Sequence, residues 1–203
     1  MKLYYVPGAS SHAVHVLLRE LGANFELERV DLATRTTQSG ANFYDINPNG
    51  YVPALALDST AVLTEVPAIM QYLADKDGAS ALAPTSGSIE RAQMQAIMNF
   101  VSAEYHKAFI PLFVKPNMSA DERASTLALL NKRFSYLDGL LADGRDYFVA
   151  NTLSLADIYV YTVTSWSGFL GVSLEGFDRL QAHMGRMAGR ESAVAARAAE
   201  GLG

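Results

Sequence analysis

Hydrophobic and polar positions change period several times along the chain, and each change marks an element. Residues 2–6 are a short aromatic and branched run stopped by Pro7-Gly8, the signature of a buried strand. After Ser10-Ser11, apolar residues fall at Val14, Leu17, Leu18 and Leu21, one face of a helix that Gly22 ends. Phe25–Leu32 alternates and predicts a second strand, so the first 32 residues read as a βαβ unit. Residues 33–50 are polar and rich in Gly and Asn, a long connection with one short helix expected near Asn42–Ile46. Ala54–Leu57 and Ala61–Leu63 flank Asp58-Ser59-Thr60 as a hairpin, and Pro67 suits the first turn of the helix that follows.

Beyond a Gly-, Pro- and Ser-containing stretch at Asp77–Ser88, all spacing is helical. The pattern predicts helices over Ile89–Phe109, broken by Pro111, then Asp121–Leu141, Ser154–Phe169, Leu180–Ala188 and Glu191–Ala199. The expected layout is a first domain over 1–78, a linker over 79–87 and an all-helical domain over 88–203.

Composition narrows the chemistry. The 203 residues are 50% apolar and 18% charged, with no Cys, which removes disulfides, zinc–thiolate sites and chemistry on a protein thiol. A net charge of −5 without a basic stripe speaks against nucleic acid. No apolar run reaches the roughly 20 residues of a membrane span, and the first eight residues are too soon broken for a signal peptide. The expectation is a soluble, cytoplasmic protein with a small-molecule or protein partner and no metal.

Four motifs carry candidate chemistry, and a fifth, at Ser154–Asp157, is read as structural. Gly8-Ala9-Ser10-Ser11 sits at a strand-to-helix turn, where a Ser hydroxyl either caps the helix or joins free backbone N–H groups in an anion site. Val52-Pro53 precedes a hairpin strand, so Pro53 belongs at an edge or in a cis turn. Thr64-Glu65-Val66-Pro67 opens a helix. There Glu65 either favours the helix dipole or pairs with a ligand ammonium, while the Val66 amide holds a carboxylate. Ser154-Leu155-Ala156-Asp157 is spaced as a capping box. Asn99, Ser102 and His106 are spaced to share a helix face, with Lys107 beside the imidazole.

In this order, over essentially the whole chain, these features resemble a cytosolic glutathione transferase, and among its branches the bacterial beta class. The stretches that carry the resemblance include Met1–Tyr5, Asn47–Leu55, Gly87–Arg91, His106, Ser154–Tyr159 and Glu200-Gly201-Leu202. The resemblance implies an α/β thioredoxin-like N-terminal domain, an all-α C-terminal domain, a homodimer and a role in detoxification. It implies glutathione as cosubstrate, bound by Arg35, Val52, cis Pro53, Glu65, Val66 and Lys107, with Glu104 reaching the partner subunit's ligand. Ser10 or Ser11, with His106, would hold the thiolate. Tyr5, Tyr105, Phe109, Phe113 and Trp166 are expected either to wall the apolar substrate pocket or to pack in the core.

Two residues depart from the pattern. Ser10 stands where the beta class carries Cys, so a mixed disulfide with glutathione is excluded while activation by a hydroxyl remains open. Val66 stands where Ser or Asn is usual, which removes a side-chain hydrogen bond worth roughly 1.5–3 kcal/mol to a charged group. The leading expectation is conjugation of the glutathione thiolate to an apolar electrophile. The alternatives are a non-catalytic glutathione- or ligand-binding protein on the same fold, or a glutathione-dependent lyase, isomerase or dehalogenase.

Overall fold

The computed structural model describes residues 1–58, 60–76, 81–115 and 117–202. Its first elements are β1 (Lys2–Tyr5), α1 (Ser11–Glu20) and β2 (Glu26–Asp31), with β1 and β2 paired in parallel and Leu3 opposite Leu27. The βαβ reading therefore holds. Gly22 ends α1 in the left-handed region at φ +60°, where its N–H reaches the Arg19 carbonyl at 3.1 Å. A residue with a Cβ adopts that conformation only at a cost.

The long connection contains β3 (Thr36–Thr37), antiparallel to β2, and a single 3-10 turn at Phe43–Asp45. The short helix was expected there. The strand was not, because two residues are too few to show a period and only their partner defines them. β4 (Ala54–Ala56) and β5 (Val62–Thr64) form the hairpin in the register Leu55 opposite Leu63, and β4 also pairs antiparallel with β1. Of the expected turn, Ser59 lies outside the described residues. The five-stranded mixed sheet has the order β3-β2-β1-β4-β5. α2 (Val66–Asp75) follows with Pro67 in its first turn. Leu3, Val14, Leu17, Leu18, Leu55, Ile69 and Met70 are completely buried in this unit.

The chain divides into one compact unit of Met1–Ser80 with Gly189–Gly203, and a second of Ala81–Ala188. α8 (Glu191–Glu200) thus groups with the sheet unit and packs on α1, whereas the sequence reading placed it with the helices. Periodicity says that α8 has an apolar face but not what covers it. The tether is polar: Arg190 pairs with Glu20 at 2.5 Å and the Ser192 hydroxyl donates to the same carboxylate at 2.5 Å.

The second unit holds α3 (Ile89–Phe100), α4 (His106–Val114), α5 (Ala120–Leu140), α6 (Leu155–Phe169) and α7 (Asp178–Ala188). Pro111 does not break the first long helical run. It lies inside α4, which continues to Val114, and the interruption falls upstream in a π-helical turn at Val101–Tyr105. There the His106 N–H bonds back to the Val101 carbonyl five residues earlier. The α-helical spacing of Asn99, Ser102 and His106 therefore crosses a change of helix type; Asn99 is exposed, while Ser102 and His106 are half-buried.

The expected linker begins at residues 79 and 80, outside the described set; where description resumes, Ser88 caps α3 by accepting the Arg91 N–H at 3.1 Å. The capping box of α6 is present. Asp157 accepts the Ser154 N–H at 2.8 Å and its hydroxyl at 2.7 Å, the Phe148 N–H at 3.0 Å, and the His183 ring at 3.1 Å. Among the described residues no helix is long and apolar enough to cross a membrane.

Candidate functional site

The turn between β1 and α1 separates the two serines that the sequence left equivalent. Neither hydroxyl caps α1. Ser11 is completely buried, and its Oγ bridges the Val6 backbone, accepting the N–H and donating to the carbonyl at 3.2 Å each. That hydroxyl is spent inside the turn. Among the described residues the Ser10 hydroxyl makes one long contact, 3.4 Å to the Val52 carbonyl. The backbone N–H groups of Ser10 and Ser11 have no partner among the described residues. One weakly engaged hydroxyl and two free donors thus stand at a helix N-terminus, where the dipole favours negative charge.

The Val52–Pro53 bond is cis, and the Val52 N–H has no partner among the described residues. At the start of α2, Glu65 is the N-cap residue rather than a first-turn residue. Its backbone is strained at φ +67°, ψ +118°, and its side chain caps nothing. Strain of this kind in a residue with a side chain costs about 1–3 kcal/mol and is retained where surroundings over-determine it. Val66 is buried. Arg35 is half-buried, and its Nη1 is enclosed without a hydrogen-bond partner among the described residues. Arg35, Val52, Glu65 and Val66 all belong to the sheet unit.

In the helical unit, the His106 ring packs edge-on against Trp166, with centroids 4.8 Å apart. Burial, with Lys107 adding to it, lowers the His106 pKa from its ordinary value and favours the neutral ring at pH 7. Glu104 pairs within its own chain, to Arg133 at 2.5 Å.

The five expected wall residues divide. Tyr105 and Phe109 are completely enclosed, and burial pushes the Tyr105 hydroxyl, bonded to Thr164 at 2.9 Å, well above the ordinary phenol range. Tyr5 is buried in the sheet unit, and burial together with Glu200 raises its pKa. Tyr105 and Phe109 are core, because a ring already covered on all sides has no face for a ligand, whereas Tyr5 retains 8% exposure. Trp166 is 6% exposed and Phe113 is 42% exposed. Phe113 meets Trp166 edge-on at 5.4 Å and stacks at 6.3 Å on Phe169, which is 83% exposed and was not singled out.

Sequence reasoning also missed a buried triad. The carboxylate of Glu200 in α8 receives the His15 Nδ1 at 2.7 Å and the Gly8 N–H at 2.8 Å, with the His12 Nδ1 3.0 Å away. Arg19 donates to the other nitrogen of His15 at 3.3 Å, which places the His15 proton on Nδ1. Burial would raise the Glu200 carboxyl, but the two imidazoles and the Gly8 N–H hold it at about 2. The three ligating atoms lie within 4.8 Å of one another. His15 Nδ1 hydrogen-bonds the Glu200 carboxylate, whereas His12 Nδ1 lies 3.0 Å from the same oxygen without a hydrogen-bond partner among the described residues. The spacing of His12 and His15 was visible; a partner almost two hundred residues away gives no local signal.

Two family models match the chain in succession. A model of the glutathione S-transferase N-terminal domain matches residues 9–76, and one of the C-terminal domain matches residues 100–191. The chain is 39% identical to glutathione S-transferase GstA of Escherichia coli O157:H7 over 202 residues, covering all of both proteins. It superposes on a bacterial beta class glutathione S-transferase of Sphingomonas chungbukensis with a TM-score of 0.93 at 41% identity over the whole of both chains. A sphingomonad glutathione S-transferase complexed with glutathione gives a TM-score of 0.93 at 44% identity, again over the whole of both chains.

Proposed function

The chain belongs to the glutathione S-transferase family, and from that premise we infer that it is a glutathione transferase in which Ser10 stabilises the tripeptide's thiolate. The observation that carries the assignment to Ser10 is the division of labour in the α1 turn. Ser11 has no proton to spare, whereas the Ser10 hydroxyl has only a 3.4 Å contact to exchange for a charged acceptor. The free N–H groups and the positive end of α1 add to the same effect.

The remaining roles follow the needs of a tripeptide with two carboxylates and one ammonium. The half-buried Arg35 guanidinium takes the glycine carboxylate. Val52, before cis Pro53, pairs through its backbone with the cysteinyl residue. The N–H of Val66 takes the γ-glutamyl carboxylate, and Glu65 its ammonium. The Val66 side chain has no hydroxyl or amide to reinforce that contact. Of the helical unit, His106, with its ring neutral at pH 7, and Lys107 are the groups we propose for the ligand. We propose that Glu104 serves the partner subunit of a homodimer, its Oε2 held by Arg133 and its other oxygen left for the ligand's amine.

The thiol proton leaves to solvent and the thiolate attacks an electrophilic carbon. The sulfur–carbon bond forms as the leaving group departs with its electron pair. Thiolate stabilisation and positioning are the enzyme's contributions. The electrophile we propose is small and apolar, received by Trp166, Phe113 and Phe169, and the proposed compartment is the cytoplasm. With no Cys in the chain, conjugation proceeds without a mixed disulfide.

Titration of the thiolate ultraviolet band of bound glutathione tests the reading. A pKa well below the ordinary thiol value of about 8.5 is expected; a bound thiol that titrates like the free tripeptide refutes it. Retention on immobilised glutathione without turnover of an aryl halide would mark a binding protein instead.

A further inference from the structure

We infer that Gly50 and Tyr51 are positioning residues that hold the Arg35 guanidinium in place, before any ligand arrives, for the tripeptide's glycine carboxylate. The inference rests on the proposed glutathione reading and extends it to two residues with no part in that reading.

Arg35 sits in the long connection with its own backbone at φ +56°, a conformation that residues with side chains rarely adopt, and its carbonyl accepts the Phe43 N–H at 2.7 Å. Two neighbours fix where the side chain goes. The guanidinium carbon lies 5.9 Å from the centre of the Tyr51 ring, within cation–π range. Gly50, buried at φ +67°, supplies the floor. A Cβ there would stand 2.7 Å from Cε1 of Tyr44 and 3.4 Å from Nε of Arg35. Tyr44 and Arg35 thus both lie against a surface that exists because position 50 has no side chain.

The turn that presents this surface is itself tied. The buried Asn47 donates from its amide to the Tyr51 carbonyl at 2.7 Å and accepts the Asn49 N–H at 3.1 Å, while the Gly50 N–H bonds the Asn47 carbonyl at 2.8 Å. The outcome is a half-buried guanidinium packed against Gly50 and Tyr51, with Nη1 enclosed and unpartnered among the described residues. A planar fork held in one pose loses less freedom when a carboxylate binds, and Arg is suited to that geometry. Tyr51 is 67% exposed, so its ring covers Arg35 without being buried for its own sake.

The test compares KM for glutathione with KM for γ-glutamylcysteine, which lacks the glycine carboxylate, in the full-length enzyme. Tyr51→Leu is expected to raise KM for glutathione about threefold, the scale of an exposed cation–π contact. Gly50→Ala is expected to raise it further, Tyr51→Phe to stay near wild type, and kcat to hold throughout. KM for γ-glutamylcysteine should not move. Equal losses for both substrates, or none, overturn the inference, as does a Tyr51→Leu protein whose mass by light scattering falls to that of a single subunit. Arg35→Met separates the two levels. If it shows no glutathione-specific loss, the assignment of Arg35 itself fails. If it does while Tyr51→Leu and Gly50→Ala do not, only the positioning role fails. Should Gly50→Ala not fold, the Tyr51 pair still decides.

Discussion

Replacing each of the two adjacent serines by alanine tests the proposal that Ser10 holds the thiolate while Ser11 holds the turn. Ser11→Ala removes both contacts to Val6. The Val6 carbonyl keeps a partner, since it also accepts the Ala9 N–H at 3.1 Å, but the Val6 N–H is left with none. One orphaned, part-buried donor costs about 1–3 kcal/mol. For a chain of this length that is a fall in Tm of about 2–12 °C. The bound thiol should keep its pKa, because the Ser11 proton is engaged by the Val6 carbonyl.

Ser10→Ala removes a 3.4 Å contact and should leave Tm almost unchanged. If the hydroxyl donates to the thiolate, a charge-assisted bond of about 1.5–3 kcal/mol disappears, which raises the bound thiol pKa by about 1–2 units. Conjugation at pH 7 then falls by about tenfold, recovering as pH rises. Differential scanning calorimetry and the thiolate absorbance titration measure the two quantities on the same samples. A Ser11→Ala enzyme with unchanged Tm and a raised thiol pKa would reverse the assignment; a Ser10→Ala enzyme with wild-type thiol pKa would remove it.

Three further outcomes follow from the packing and the charges. Phe109→Ala opens a cavity around a completely enclosed ring and should cost about 3–5 kcal/mol, whereas Phe113→Ala should spare Tm and raise KM for an aromatic electrophile; a stability loss at Phe113 equal to that at Phe109 would place both in the core. Asp157→Ala strands the Phe148 and Ser154 N–H groups and the His183 ring, and should lower stability by about 3–5 kcal/mol in urea unfolding; a loss under about 1 kcal/mol would deny Asp157 its role in starting α6. Glu200 is held at about 2 in the folded protein against an ordinary carboxyl near 4.3, so its contribution is complete above about pH 4.3 and is lost as pH falls toward 2. The stability gap between wild type and Glu200→Gln should therefore narrow on acidification, and a gap constant between pH 6 and pH 2.5 would contradict the assignment.

Much of the fold was legible because its signals are local. The stop at Pro7-Gly8, the Gly22 cap, the alternation before Leu32 and the Ser154–Asp157 box each lie within one or two turns of the element they define. The candidate site was legible as a set of positions, and the ordered motifs pointed to the right family. It was not legible as geometry. The choice between Ser10 and Ser11 depends on where the Val6 and Val52 backbones lie. The core placement of Tyr105 and Phe109 depends on which rings surround them. The interruption of the long helix fell at a π turn with no marked residue type, not at the conspicuous Pro111.

What the sequence determined by itself is therefore the identity and order of the elements and the list of groups able to bind or react, since hydrophobic period, turn chemistry and residue type act over a few residues. Only the tertiary structure decided which hydroxyl keeps a free proton, which aromatic rings keep an open face, and that Glu200 closes on His12, His15 and Gly8. Those outcomes are set by contacts between segments far apart in the chain, and each depends on which partner arrives to satisfy a buried group.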